Sequence, residues 1–238
     1  FKDMRKTLLA ALMLMQMGAW AKVDLPEILS DNMVLQQQTE VKLWGKAKAN
    51  TEVSISPSWT NNIYTVKTDN DGKWIAEIQT PSASYTPYTI TLSDGEVITL
   101  NNILIGEVWF CSGQSNMEMP LAGFWNCPIE GANETIATAS QWKGIRVATI
   151  EKNGQLEPVD RCKGSWKVSN PANAGAFSAT AFNFAMMMNR VLDIPVGIIN
   201  CSWGGSTVEG WLPRDIVSQY KDINCLLYTS PSPRDRSL

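Results

Sequence analysis

Two short stretches hold the residue types from which acyl-transfer chemistry can be built: SGQSN at 112–116 and SWGGS at 202–206. Ser115 offers a hydroxyl able to attack a carbonyl carbon, and the amides of Gln114 and Asn116 flank it as candidate substrate contacts. Gly204 and Gly205 have no Cβ, so their backbone can come close to a substrate and turn N–H groups toward a developing oxyanion. A serine hydroxyl is a weak nucleophile at neutral pH and needs a positioned base, most often an imidazole. The 238 residues contain no histidine. Glu118 is a poor substitute, because a carboxylate of ordinary pKa, about 4.3, hardly takes a hydroxyl proton. Neither stretch holds a lysine for a Ser–Lys arrangement. If Ser115 is the nucleophile, its base lies outside this chain; the competing reading is a plain turn or N-cap serine.

The surroundings of the second stretch suit a sugar without requiring one. Trp203 and Trp211 flank the glycines and can stack against a sugar face or cap a core. Glu209 can bind a hydroxyl or stand in solvent as an ordinary surface residue. No CxxC or Cys/His pattern suggests a metal, and no organic cofactor is implied. The first stretch is not the G-x-S-x-G elbow, since Met117 takes the place of its last glycine, which argues against an α/β-hydrolase.

Both stretches need elements to hold them. From Gly106 onward, EVWFC, GIRVATI and PVGIINCS are near-continuous apolar runs, as expected for strands covered on both faces. Between the last two, Phe177, Ala181, Phe184, Ala185, Met188 and Leu192 recur at helical steps, so a helix is expected after Ala176 and before Pro195. Such a β-α-β series predicts a parallel sheet, with ligands bound beyond the carboxyl ends of its strands. Both serine- and glycine-rich stretches fall at such ends.

Residues 22–105 read differently. EVKLWGKA, TEVSIS, IYTVKTD, WIAEIQ, YTITLS and EVITLNN are six short strand-like runs, and Asn70-Asp71-Gly72 and Asp94-Gly95 read as hairpin turns. The expectation is an α/β chain: an N-terminal β-sandwich, Ig-like or jelly-roll, over 22–105, then a parallel sheet with flanking helices over 106–224.

Composition excludes some functions. With 44% hydrophobic and 18% charged residues the chain suits a packed globular protein, and a net charge of −3 with no basic cluster beyond Arg5-Lys6 gives no footprint for nucleic acid. From Met4, two cations precede about ten apolar residues and Ala19-Trp20-Ala21, the pattern of an export signal too short to span a bilayer. Phe1–Asp3 then precede the initiator, and the mature chain is expected to be exported, periplasmic or extracellular, without a membrane span. At the other end, CLLYTSPSPRD at 225–235 matches a translated sequencing-library adapter, so 225–238 are read as adapter-derived and the natural sequence as stopping near Asn224. Of the remaining cysteines, Cys111 and Cys201 end apolar runs and read as small core residues, while Cys127 and Cys162 are the candidates for a bridge.

GEVWFCSGQSNMEMPL, FSATAFNFA and VGIINCSWGGSTVEGW, with DNMVLQQ and WGKA before them, resemble the sialate O-acetylesterase family of SGNH-type hydrolases, from Val23 to about Asp222. The resemblance implies a truncated SGNH-hydrolase-like domain in which Ser115 is the nucleophile and Gly204 and Gly205 form the oxyanion region. It also implies a WxQGE block and a final Asp/His block, neither of which occurs here, so that the chain by itself is expected to be inactive. The implied substrate is an O-acetylated sialic acid or related glycan. Acetylxylan or another plant glycan is the alternative substrate, and a non-catalytic glycan-binding module the alternative role.

Overall fold

The computed structural model describes residues 22–155 and 159–220, so the expected export signal and adapter-derived tail lie outside the described residues. All six strand-like runs of the first half are strands. After β1 (Val34–Gln36) come β2 (Glu40–Lys46), β3 (Glu52–Pro57), β4 (Tyr64–Lys67), β5 (Lys73–Gln79), β6 (Ser84–Ser93) and β7 (Val97–Gly113). Strict alternation makes them so: β5 reads exposed, buried, exposed along its length, one face for the core and one for water. β2 pairs antiparallel with β5 in a two-stranded sheet, and β3, β4, β6 and β7 belong to a larger one. Leu43, Trp74 and Ile78 from the small sheet share a core with Val53, Ile55, Ile90, Leu92 and Ile103 from the large one.

The two turn signals do different work. Asp94-Gly95 closes the hairpin in which Ser93 faces Val97. Asn70-Asp71-Gly72, expected to close a hairpin as well, instead carries the chain from β4 in the large sheet to β5 in the small one. Asp69 holds this turn, its carboxylate accepting the Asp71 and Lys73 N–H groups at 2.9 and 2.8 Å. The turn is local chemistry, whereas the choice of partner strand belongs to the core.

The expected boundary at 105/106 falls inside a strand. β7 runs unbroken for 17 residues. Its first part pairs antiparallel with β6, its middle pairs parallel with β1 at Leu104–Gly106, and its last part pairs parallel with β10 (Val196–Ser202). Beyond β10 lie β8 (Ile145–Thr149), also parallel, and the short antiparallel β9 (Trp166–Val168). The large sheet therefore runs β4-β3-β6-β7-β10-β8-β9, with β1 against β7. β8 and β10 are buried along nearly their whole length, as parallel strands packed on both faces must be.

Helices cover the parallel part. α1 (Ser115–Glu118) follows β7, α2 (Ala132–Ala137) and α3 (Pro171–Ala174) are short, and α4 (Ala179–Leu192) is the main helix, with α5 (Arg214–Val217) last. α4 starts two residues later than its apolar spacing suggests, because Ser178 caps it, its Oγ accepting the Ala181 N–H at 3.2 Å. Ala181, Phe182 and Ala185 are buried against Ile145, Val147, Val196 and Ile198, whereas Leu192, expected on the buried stripe, is 43% exposed. Cys127 and Cys162, the candidate pair for a bridge, are both free thiols, Cys127 exposed and Cys162 half-buried. Cys111 and Cys201 are half-buried rather than enclosed, and burial pushes both thiols up. Among the described residues no helix is long and apolar enough to cross a membrane.

Candidate active site

Register brings the two stretches together. Ser202, the last residue of β10, lies opposite Gly113, the last of β7, so both loops leave the sheet at the same height. The Trp203 N–H donates to the Gly113 carbonyl at 2.9 Å, which extends the ladder one step into the loops. Gln114 adds a second tie, its Nε2 donating to the Ser206 carbonyl. Gln114 was expected to contact substrate; here its amide joins the loops instead.

Ser115 is exposed and opens α1, with Gln114 at the N-cap. No side chain caps that helix, so the Ser115 hydroxyl is not used as a cap. Among the described residues its Oγ has no hydrogen-bond partner, and it faces the second loop. A methyl built on Gly204 would sit 3.0 Å from Ser115 Oγ and 2.9 Å from Glu118 Oε2, so any side chain at 204 would crowd the Ser115 hydroxyl. Gly205 has φ of 78°, a left-handed conformation open to glycine at little strain. The Gly204 N–H donates to Glu118 Oε2. Both glycine amides were expected to be free; that of Gly204 is taken. Among the described residues the N–H groups of Ser115 and Gly205 have no acceptor.

Glu118 has a second partner that the sequence reading missed. Lys152 Nζ pairs with Glu118 Oε1 and lies 5.9 Å from the centre of the Trp203 ring. Neither serine- and glycine-rich stretch contains a lysine, but β8 is next to β10, and the chain leaving β8 after Thr149 delivers Lys152 to the same rim. Burial pushes the Glu118 carboxyl up, but the hydrogen bonds from Lys152 and from the Gly204 amide, with the Lys152 charge, bring it below the usual range. A carboxylate held low and bonded on both oxygens is no base for Ser115.

The other expected contacts divide. Asn116 is exposed, and its backbone carbonyl accepts the Thr180 hydroxyl at 2.8 Å, which ties α1 to α4. Trp203 is half-buried beneath the Lys152 ammonium. Trp211 is 37% exposed and donates to Ser206 Oγ at 2.9 Å, holding the far side of the second loop. Glu209 sits in the 3-10 turn Val208–Trp211, its carboxyl held low by the Thr207 hydroxyl and its own backbone amide, while its Oε2 has no hydrogen-bond partner among the described residues.

Known proteins resemble the chain in sequence and in fold. The chain superposes on a carbohydrate acetylesterase from Xanthomonas citri with a TM-score of 0.76 and 31% identity over 85% of its own length. Sialate O-acetylesterases from mouse and human are 28% and 25% identical to it over 125 and 199 residues, 49% and 77% of this chain. Its sequence relatives are thus sialate O-acetylesterases, and the solved structure it superposes on is a carbohydrate acetylesterase. No family model matches it. The chain spans 22% and 37% of the length of these mouse and human sialate O-acetylesterases and 45% of the solved acetylesterase. It presents the mixed α/β architecture of that acetylesterase, with a large sheet and flanking helices.

Proposed function

We propose that the protein is a serine esterase that removes O-acetyl groups from sialic acids or related glycans, with Ser115 as nucleophile. The observation that carries this reading is the approach of the two loops: an unbonded Ser115 Oγ against Gly204, at a distance that admits no Cβ between them. A turn serine with a structural role would spend its hydroxyl on the backbone, whereas this one spends nothing.

In the reaction, Ser115 Oγ attacks the acetyl carbonyl carbon and gives its proton to an imidazole. The carbonyl oxygen becomes an oxyanion, and the N–H groups of Ser115 and Gly205, which have no acceptor among the described residues, are the donors for it. The imidazole returns the proton to the departing sugar oxygen, leaving acetyl-Ser115, which water then hydrolyses by the same steps in reverse. Asn116 and the exposed edge of Trp211 line the sugar side. With no histidine in the sequence, we assign the imidazole and its Asp partner to chain beyond residue 224, in keeping with the final block implied by the family resemblance. Residues 22–105, read as a β-sandwich, form a support for the rim and take no part in the chemistry.

The test is Ser115→Ala in the full-length gene product, with acetate release from O-acetylated sialic acid as readout. Loss of a triad nucleophile costs on the order of 10⁴-fold or more in kcat. Retained acetate release overturns the assignment. Residues 22–224 alone are expected to release none.

A further inference from the structure

Glu118 and Lys152 stand where the loops of three adjacent parallel strands meet, yet neither reacts in the mechanism above. The geometry points to Glu118 as a positioning residue that clamps the Gly204-Gly205 loop to the nucleophile's helix, with Lys152 as the counter-ion that holds its carboxylate in place. This inference rests on the esterase reading of Ser115.

Spacing and bonding both support it. Glu118 lies three residues after Ser115 on α1, so the two side chains share one face of a single helical turn. A helix of four residues has no stability of its own and takes its position from outside contacts. On its far side those contacts are the Thr180 hydroxyl on the Asn116 carbonyl and the Ala179 N–H on the Met119 carbonyl, both at 2.8 Å. On the near side the Glu118 carboxylate is the contact, and it reaches the backbone of the second loop at the point nearest Ser115 Oγ.

Its target matters. A peptide unit is planar, so fixing the Gly204 N–H fixes the plane of the 203–204 amide and leaves only two soft dihedrals at Gly204 to orient the next one. That next amide carries the Gly205 N–H, one of the two proposed oxyanion donors. Bonds at Trp203 and Ser206 hold the two ends of the loop, but the glycines between them are the most freely rotating residues, and oxyanion stabilisation depends on donors already in place.

Lys152 supplies what the carboxylate needs. The side chains of Lys152 and Glu118 are 35% and 24% exposed, so the pair is partly withdrawn from water. Its placement against the Trp203 ring links the pair to the residue that begins the second loop. Each partner follows a different strand end, so the contacts join the loops after β7, β10 and β8.

The experiment uses the full-length protein, with kcat, KM and thermal midpoint measured for Glu118→Ala, Glu118→Gln, Lys152→Met and the Glu118→Ala/Lys152→Met pair. Misplacement near 1 Å at a reacting centre costs about 10²-fold, so kcat of Glu118→Ala is expected to fall by about 10- to 100-fold with KM little changed. Glu118→Gln keeps an oxygen for the Gly204 N–H and should recover most of that loss. Lys152→Met should fall between the two, and the pair should be no worse than Glu118→Ala alone, because both changes break one unit. If Glu118→Ala does not fold, the ranking of Glu118→Gln above Lys152→Met decides. A Glu118→Ala enzyme with unchanged kcat, or a Glu118→Gln enzyme no better than it, overturns the clamp while leaving the esterase intact. A wild-type protein that releases no acetate overturns the esterase reading itself.

Discussion

Gly204→Ala isolates the close approach on which the site depends. The substitution leaves the N–H in place and adds one methyl group. Gly204 lies outside the left-handed region, so alanine meets no backbone penalty there. What it meets is Ser115 Oγ at 3.0 Å and Glu118 Oε2 at 2.9 Å, with Ser115 Cα at 3.5 Å. Ordinary contact at such positions begins near 3.4 Å, so the neighbours must give way by a few tenths of an ångström. Glu118 can yield only by straining its bond to the Gly204 N–H or its pairing with Lys152, and Ser115 only by leaving its place. The stability cost of so small an overpacking at a half-buried position is about 1 kcal/mol, a shift of about 2–4 °C in thermal midpoint for a protein of this size. The catalytic cost expected is larger, about 10- to 100-fold in kcat, because the displaced atoms belong to the proposed nucleophile and to the residue proposed to position the oxyanion loop. Steady-state acetate release by the full-length protein, alongside a thermal melt, separates the two. A Gly204→Ala enzyme with kcat within about twofold of wild type would refute the claim that Ser115 and Gly204 share one reaction space.

Two further perturbations test the frame around the site. Ser178→Ala removes the cap of α4 and should cost about 1 kcal/mol, read as a lowered denaturation midpoint with an unchanged m-value. Asp24 is held below the usual carboxylate range, chiefly by the bidentate hydrogen bonds from Arg161 at 2.6 and 2.8 Å, against a smaller opposing effect of burial. A depressed folded-state pKa contributes stability that is full above the unfolded value near pH 4 and is lost as pH falls through the folded value. Both side chains are about half exposed, so Asp24→Asn should cost only about 0.5 kcal/mol at pH 7, less in high salt and nothing at low pH.

Local chemistry wrote much of this protein into its sequence. Alternation in VSISP and KWIAEIQ marks strands with one wet face, and the near-continuous apolar runs IRVAT and VGIIN mark strands with almost none, because side-chain direction follows from backbone geometry alone. That the Ser115 and Gly204-Gly205 stretches both leave strand ends was legible too, from apolar runs that stop at serine- and glycine-rich sequence. Other features had no local signal. The chain was expected to change domain at 105/106, yet β7 continues through the left-handed Asn102 and through Gly106, held by β6, β1 and β10 in turn. Lys152 lies 34 positions from Glu118 and was invisible as its partner until the order β7-β10-β8 brought their strand ends to one rim. The Gly204 amide, free on any reading of the sequence, was claimed by a carboxylate from the other loop. Periodicity and residue type act over a few positions and can be read one residue at a time. Strand order and register are decided by burial summed over the whole core, and only they determine which distant side chains become neighbours.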